Sequence, residues 1–158
     1  NGMICEVAND NCVGQIVLSG QMEAIDLIPN MIGDYNIKRA IKLRVSGPFH
    51  SSLMKKAKIN MSFELDEYSF KEKSVNANVI ANYNLEYFDK ENIQFLLANQ
   101  ITSGVRWRET ILKVYNSGVR YFVEIGPSQV LIDLAKKTLS DDSIKYVHIN
   151  SVHNIELL

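Results

Sequence analysis

Residues 119–149 read VRYFVEIGPSQVLIDLAKKTLSDDSIKYVHI, and the order of patterns within this stretch decides the fold class. The β-branched and aromatic run at 119–125 is typical of a buried strand. The Gly-Pro-Ser sequence that follows predicts a turn, residues 129–139 predict a helix, and 144–149 predict a second short strand. Two strands joined by a helix form the crossover unit of a parallel sheet. The stretch therefore predicts an α/β protein.

The middle of the chain continues this alternation of strands and helices. A helix is predicted to begin at Ser51 or Ser52, a strand to occupy 75–81, and two further helices to occupy 89–99 and 105–117. Together with the crossover unit, these elements predict βα units of a parallel sheet over the last two-thirds of the chain.

The first third of the chain has a different order, because strands come first. Short strands are predicted at 3–9 and 14–19 on either side of a turn, followed by a helix at 21–32 and a third strand at 40–46. This order is typical of an antiparallel sheet with a helix packed on it. The two parts of the chain need not share one hydrophobic core.

Composition narrows the class of protein. The chain has 158 residues and a formal net charge of -1, which indicates no polyanionic partner such as nucleic acid. Neither an 18-residue apolar run nor a signal-peptide pattern occurs, so no membrane association is predicted. Cys5 and Cys12 have no further Cys or His nearby to complete a zinc site, and they are expected to be thiols of a cytoplasmic protein.

One histidine lies where an α/β enzyme would use it. His50 stands in VSGPFHSSLM, residues 45–54, between a predicted strand and a predicted helix. Ligands of open α/β sheets bind at the ends of strands, and histidine is the side chain best suited to take and return a proton near neutral pH. A histidine that only packs or caps the helix remains the alternative, because a single histidine is a weak signal.

Three other segments could assist such a site. In NQITSGVRW, residues 99–107, the main-chain carbonyl of Gln100 could accept a hydrogen bond from a histidine Nδ1–H and fix its tautomer. In YFVEIGPSQVL, residues 121–131, a strand runs into a helix N-terminus that favours anions. Residues 8–20 contain two Asn flanking an Asp, a pattern typical of a tight turn. Each segment also has a purely structural reading as a helix end, a turn or a connection.

A nucleophile is absent from the sequence. No Gly-x-Ser-x-Gly pattern occurs in the 158 residues, and neither cysteine has neighbours that would activate a thiolate. The sequence therefore offers a candidate base with no candidate nucleophile.

The four segments, in this order, resemble successive motifs of the malonyl-CoA:acyl carrier protein transacylases and of the related acyltransferase domains of fatty-acid and polyketide synthases. Residues 9–20 match Asn-x-Asn-x-x-Gly-Gln-x-Val-x-Ser-Gly, and residues 48–54 match Pro-Phe-His-Ser-x-Leu-Met. Residues 100–107 match Gln-(six residues)-Trp, and residues 124–131 match Glu-x-Gly-Pro-x-x-Val-Leu. The resemblance covers nearly the whole chain.

The resemblance implies a two-part fold. Residues 1–46 would belong to an incomplete ferredoxin-like subdomain, in which an antiparallel sheet carries a helix and the first strand and helix are missing. Residues 47–158 would form the C-terminal part of a larger α/β-hydrolase-like subdomain with a parallel sheet. The segment carrying the nucleophilic serine, an arginine for the malonyl carboxylate and part of the oxyanion hole would precede residue 1, so the chain by itself is expected to be inactive.

The resemblance also implies roles for individual residues. His50 matches the catalytic base for transfer of a malonyl group from malonyl-CoA, through an acyl-serine intermediate, to acyl carrier protein in fatty-acid biosynthesis. Gln100 matches the residue whose carbonyl orients that histidine. Asn11 and Phe49 match substrate-site positions, and the bulk of the Phe49 ring favours malonyl over methylmalonyl. Two further matches, Lys38 and Arg39, are basic residues that would meet the acidic carrier protein. No metal or cofactor is implied.

Two other functions remain as alternatives on the sequence. The same half-domain could serve as a non-catalytic module that binds the carrier protein or has a structural role. The ferredoxin-like start, taken alone, would also suit a small regulatory ligand-binding domain. The four matched segments weigh against the second alternative.

Overall fold

An antiparallel hairpin followed by a helix begins the chain. The structure, a computed structural model, describes residues 2–70 and 77–152. Strand β1 (Cys5–Cys12) pairs with β2 (Gln15–Gly20), and helix α1 (Met22–Met31) follows directly. The two predicted strands and the predicted helix are thereby confirmed.

Residues 40–46, predicted as a third strand, form no strand. All seven are exposed, and the described strands pair only as β1 with β2 and as two strands near the C-terminus. Alternating side chains make a strand only where a neighbouring backbone supplies the hydrogen bonds of a ladder. The described contact of this segment is an ion pair from Lys42 to Asp26 of α1.

Three helices occupy the middle of the chain. A short 3-10 turn (Ser52–Met54) leads into α2 (Lys55–Asp66), and α3 (Ile93–Gln100) and α4 (Trp107–Asn116) follow. These elements confirm the predicted helices. The predicted strand at 75–81 is wrong in its described part, where one isolated bridge joins Ile80 to Tyr87; residues 75 and 76 lie outside the described residues.

The C-terminal crossover unit agrees with its prediction. Strand β3 (Tyr121–Ile125), helix α5 (Val130–Thr138) and strand β4 (Lys145–Ile149) follow in order, and β3 and β4 are parallel with Tyr121 opposite Lys145. The expected burial of β3 is wrong: Phe122 and Glu124 on one face are half-buried, and the other three residues are exposed. On the other face Ile125 is 78% exposed, because no further layer covers it within the described residues.

A hydrophobic core lies between the last two helices and the parallel sheet. Its buried members are Ile111, Ala135, Leu139 and Ile144, with Trp107, Leu112, Tyr115, Phe122 and Tyr146 packed around them. None of the helices within residues 2–70 and 77–152 is long and apolar enough to cross a membrane.

Strand β1 also contacts the C-terminal part of the chain, along the edge away from β2. Two register shifts against β2 leave Ala8 and Asn11 as bulged residues. The Ala8 carbonyl accepts the Val105 N–H at 2.7 Å, and the Asp10 N–H donates to the Val105 carbonyl at 2.8 Å. The Asp10 carboxylate also pairs with Arg108 of α4 at 2.6 Å. The first and last parts of the chain are therefore joined at β1.

Candidate functional site

His50 lies in a tight turn whose backbone is constrained from several sides. Its φ is +57°, in the left-handed region that non-glycine residues rarely adopt. The neighbouring Ser51 is fully buried, and its hydroxyl donates to the Pro48 carbonyl at 2.6 Å. Backbone strain of this kind persists only where the surrounding structure determines it, and it concentrates at functional sites.

A carboxylate from β1 fixes the other side of this turn. Glu6 accepts the Ser52 backbone N–H at 2.7 Å and the Ser52 hydroxyl at 2.6 Å. These bonds satisfy a free N–H at the start of the helical segment, as a capping residue would. The Ser52 hydroxyl, with its backbone N–H, lowers the pKa of Glu6. The strand and the helix are thereby tied together on either side of His50.

The His50 ring is half-buried, and one of its nitrogens has a backbone partner. Nδ1 lies 3.1 Å from the carbonyl oxygen of Ser103. A carbonyl can only accept a hydrogen bond, so Nδ1 carries a proton, and in the neutral ring Nε2 has the free lone pair. An imidazole in this tautomer is ready to accept a proton at Nε2.

The orienting carbonyl is not the one that the sequence suggested. Gln100 was predicted to supply it, but the Gln100 carbonyl accepts the Ser103 N–H at 3.3 Å in the last turn after α3. The turn after α3 extends through residues 101–103, and the carbonyl of its last residue, Ser103, is the one that lies beside the imidazole. Within the described residues the partner of His50 Nδ1 is therefore the Ser103 carbonyl, which is again a backbone carbonyl.

A cavity of about 420 Å³ opens beside the imidazole. Its walls are mostly apolar, and they include His50, Gln100, Asn82 and Trp107, with Ile80, Ile101, Val105 and Thr110. The indole Nε1 of Trp107 is buried and has no hydrogen-bond partner among the described residues. The structure therefore brings two predicted site residues, His50 and Gln100, into one apolar cavity.

The other predicted site residues do not line this cavity, whose walls consist of described residues. Asn11 is the second bulged residue of β1 and is half-buried. The Phe49 ring is 45% exposed and folds back toward Gly47, where its Cζ would lie 3.7 Å from an added Cβ. Lys38 and Arg39 are exposed in the segment that follows α1.

The helix N-terminus after β3, which the sequence suggested as an anion site, is already occupied by the chain itself. The Glu124 carboxylate accepts the backbone N–H groups of Leu131 and Ile132 at 3.2 and 2.8 Å. A carboxylate at this end satisfies free N–H groups and complements the helix dipole. The Glu-x-Gly-Pro segment therefore has a structural role here.

Sequence reasoning missed two residues around the imidazole, Ser103 and Asn82. Asn82 lines the cavity and hydrogen-bonds the loop that carries Ser103. The signal that could have drawn attention to this loop is Gly104, since glycine often marks a close approach of two backbones. A Cβ at Gly104 would lie 2.5 Å from the Val7 carbonyl oxygen.

Several known proteins are similar to this chain in sequence and in fold. No family model matches the chain. The malonyl CoA-acyl carrier protein transacylase of Bacillus subtilis (strain 168) is 39% identical over 157 residues, which is 99% of this chain and 48% of that protein. The protein of that name from Staphylococcus aureus (strain COL) is 35% identical over 154 residues, 97% of this chain and 49% of that protein.

Solved structures give the same result. The crystal structure of acyl-carrier-protein-S-malonyltransferase from Bartonella henselae has a TM-score of 0.87 and 37% identity, covering 98% of this chain and 48% of that one. A malonyl-transacylase in complex with its type II PKS acyl-carrier protein has a TM-score of 0.90 and 29% identity, covering 99% of this chain and 50% of that one. The chain therefore matches the C-terminal half of the malonyl CoA-acyl carrier protein transacylases, and it spans about half of the length of these relatives.

Proposed function

We propose that this chain is the C-terminal half of an enzyme that transfers a malonyl group from malonyl-CoA to the phosphopantetheine thiol of acyl carrier protein, with His50 as general base. The observation that carries the proposal is the pairing of His50 Nδ1 with the Ser103 carbonyl at 3.1 Å. It leaves Nε2 unprotonated beside an apolar cavity, which is the state that a base requires. The names of the similar proteins give the substrate and the acceptor.

The reaction has two halves, and His50 serves both. In the first, Nε2 takes the proton of a serine hydroxyl while the serine oxygen attacks the thioester carbonyl of malonyl-CoA. The C–S bond breaks, and the imidazolium returns the proton to the departing CoA thiol. In the second, Nε2 takes the proton of the carrier-protein thiol, whose sulfur attacks the acyl-serine, and the serine oxygen leaves with that proton.

The serine would come from a segment outside these 158 residues. The chain contains no Gly-x-Ser-x-Gly, and it spans 48% of the Bacillus subtilis relative. Two exposed surfaces support a covering segment. Residues 40–46 carry exposed Ile41, Leu43 and Val45 in strand-like alternation, and no strand of the described ranges 2–70 and 77–152 pairs with them. Within the same ranges β3 leaves the Ile125 side uncovered. Exposed apolar patches of this kind mark interaction surfaces.

The remaining assignments complete the proposal. Residues 1–46 form the partial small subdomain, and residues 47–158 form the C-terminal part of the large one. Asn11 and Phe49 contact substrate, and the exposed pair Lys38 and Arg39 meets the acidic carrier protein, which suits their charge. Ser103 replaces Gln100 as the residue that orients the base, because its carbonyl has the required distance.

The test is a malonyl-transfer assay on two proteins. One is this chain alone, and the other is a fusion in which the N-terminal half of the Bacillus subtilis relative precedes residue 1. We expect no transfer by the chain alone and measurable transfer by the fusion. In the fusion, His50→Ala should lower the rate by at least about 100-fold, the low end for a general acid–base group. Substitution of the other described histidine, His148→Ala, serves as the matched control and should retain the rate.

Two results would contradict the proposal: turnover by the chain alone, or a near-normal rate in the His50→Ala fusion. The lack of a nucleophile in the sequence favours one competing function, a non-catalytic module that binds carrier protein. That module would bind acyl carrier protein as the isolated chain, and the fusion would show no transfer.

A further inference from the structure

We propose that Asn82 is a positioning residue that fixes the tautomer of His50 by holding the loop that carries the Ser103 carbonyl. The catalytic meaning of this tautomer rests on the proposed function, but the tautomer itself is a property of this chain. Asn82 does not touch the reacting atoms, and it acts through residues 103–106.

The Asn82 amide makes two hydrogen bonds to this loop. Its Nδ2 donates to the Gly104 carbonyl at 2.9 Å, and its Oδ1 accepts the Arg106 backbone N–H at 2.8 Å. The two bonds fall on either side of Val105. Only one orientation of the amide satisfies both, because the carbonyl needs a donor and the N–H needs an acceptor.

Strand β1 holds the residue between them. Val105 exchanges two backbone hydrogen bonds with β1, at 2.7 and 2.8 Å, through the Ala8 carbonyl and the Asp10 N–H. The loop is thus bonded on one side by β1 and on the other by Asn82. Backbone polar groups of three successive residues, Gly104, Val105 and Arg106, are satisfied in this way.

The Ser103 carbonyl depends on this arrangement because of its neighbour. That carbonyl belongs to the peptide unit joining Ser103 to Gly104, and glycine has no Cβ to restrict its backbone dihedral angles. Holding the Gly104 carbonyl removes this freedom. Without the Asn82 bond, the Ser103–Gly104 peptide unit can rotate, and its oxygen leaves the position 3.1 Å from His50 Nδ1.

Asn82 is itself on a rigid support. It follows Ala81, which is fully buried and whose N–H donates to the Glu86 carbonyl at 2.7 Å. The Leu85 N–H closes the same turn by donating to the Ala81 carbonyl at 2.9 Å. The side chain of Asn82 therefore reaches the loop from a fixed turn, as a positioning residue must.

The experiment measures the tautomer directly, in the isolated chain. Uniformly ¹⁵N-labelled protein gives long-range ¹H–¹⁵N correlations that report which imidazole nitrogen carries the proton at a pH where the ring is neutral. In the unchanged chain we expect His50 as the Nδ1–H form. His148 is an internal reference with the opposite form, because its Nε2 lies 2.9 Å from the Gly126 carbonyl.

The Asn82→Ala substitution removes both bonds, and we expect the Nδ1–H form of His50 to lose its place as the major tautomer while His148 stays unchanged. The matched control is Asn84→Ala in the same turn, where Asn84 Oδ1 accepts the Glu86 N–H at 3.0 Å and the 103–106 loop is not involved. That variant should keep both tautomers. A folded Asn82→Ala chain that retains Nδ1–H at His50 would overturn the proposal.

A second variant covers the case in which Asn82→Ala does not fold. Asn82→Asp keeps the acceptor for the Arg106 N–H and places an oxygen against the Gly104 carbonyl, so a partial loss of the Nδ1–H form is expected. An unchanged His50 tautomer in this variant would equally reject the idea. In the active fusion, Asn82→Ala should lower kcat, and Asn84→Ala should not. A fusion without any transfer would count against the proposed function and leave the tautomer result standing.

Discussion

The Glu6–Ser52 contact predicts a measurable, pH-dependent contribution to stability. Glu6→Ala removes the acceptor for two hydrogen bonds, from the Ser52 N–H at 2.7 Å and the Ser52 hydroxyl at 2.6 Å. Loss of a helix N-cap costs about 0.5–2 kcal/mol. Both partners are accessible to water, which can replace part of the lost bonding, so we expect about 1 kcal/mol. For a chain of this length that corresponds to a fall in Tm of about 2–4 °C.

The same contact should weaken in acid. The Ser52 hydroxyl and then its backbone N–H lower the pKa of Glu6 from 4.5, because both favour the ionised carboxylate. A group with a lowered folded-state pKa stabilises the protein above its unfolded pKa, and the contribution disappears as the pH falls through the folded value. The free-energy difference between the unchanged chain and Glu6→Gln should therefore be constant near pH 7 and shrink below pH 4.5.

Urea unfolding followed by circular dichroism, at pH 7 and at several values below 4.5, measures both effects. Glu64→Gln, which changes an exposed carboxylate on α2, is the matched control and should show neither effect. The reasoning fails if Glu6→Ala is as stable as the unchanged chain at pH 7. It also fails if the Glu6→Gln difference is the same in acid as at neutral pH.

Two further substitutions test other contacts. Gly104→Ala places a Cβ 2.5 Å from a backbone carbonyl of β1, whereas Gly126→Ala meets nothing within 4 Å; urea unfolding should therefore show a loss of about 1–3 kcal/mol for the first substitution only. Hydrogen bonds from Ser143 and then Tyr115 lower the pKa of Asp141 to about 2. Tyr115→Phe should therefore move the NMR titration midpoint of Asp141 up toward 3.8. A midpoint that does not move would exclude the tyrosine as a cause.

The crossover unit could be predicted from the sequence because each of its signals is local. The run at 119–125, the Gly-Pro-Ser turn and the helical spacing that follows depend on neighbours a few residues away. Strand, helix and strand accordingly occur at 121–125, 130–138 and 145–149. On α5 the buried residues are Ile132, Leu134 and Ala135.

Residues 40–46 show what a local pattern cannot predict, namely whether a strand will have a partner to pair with. Their alternation specifies two faces, one with Ile41, Leu43 and Val45 and one with Lys42 and Arg44, but it does not specify which backbone will pair with them. A strand forms only when that partner is present. In the described residues the segment is exposed, with a side-chain ion pair to α1 in place of a ladder.

The identity of the carbonyl beside His50 could not be predicted from the sequence for a different reason. Which of several successive carbonyls faces the imidazole depends on the dihedral angles of the turn after α3, and the motif constrains only the side chains. Gln100 and Ser103 differ by one helical turn, and the Gln100 carbonyl accepts the Ser103 N–H within that turn. The sequence could indicate that a backbone carbonyl would lie beside His50, but only the folded structure shows that this carbonyl belongs to Ser103.

The conformation of His50 bears on whether this chain is half of an enzyme or a structural module. A left-handed φ at a non-glycine residue costs about 1–3 kcal/mol and persists only where the surrounding structure determines it. Here the strain is held by contacts made within this chain: the Ser51–Pro48 and Glu6–Ser52 hydrogen bonds and the Ser103 carbonyl. The His50 imidazole is thus oriented by contacts within this chain alone. In the proposed reaction a complementary segment would bring a serine hydroxyl to Nε2 of an imidazole whose orientation is already fixed, and preorganisation of this kind favours general-base catalysis.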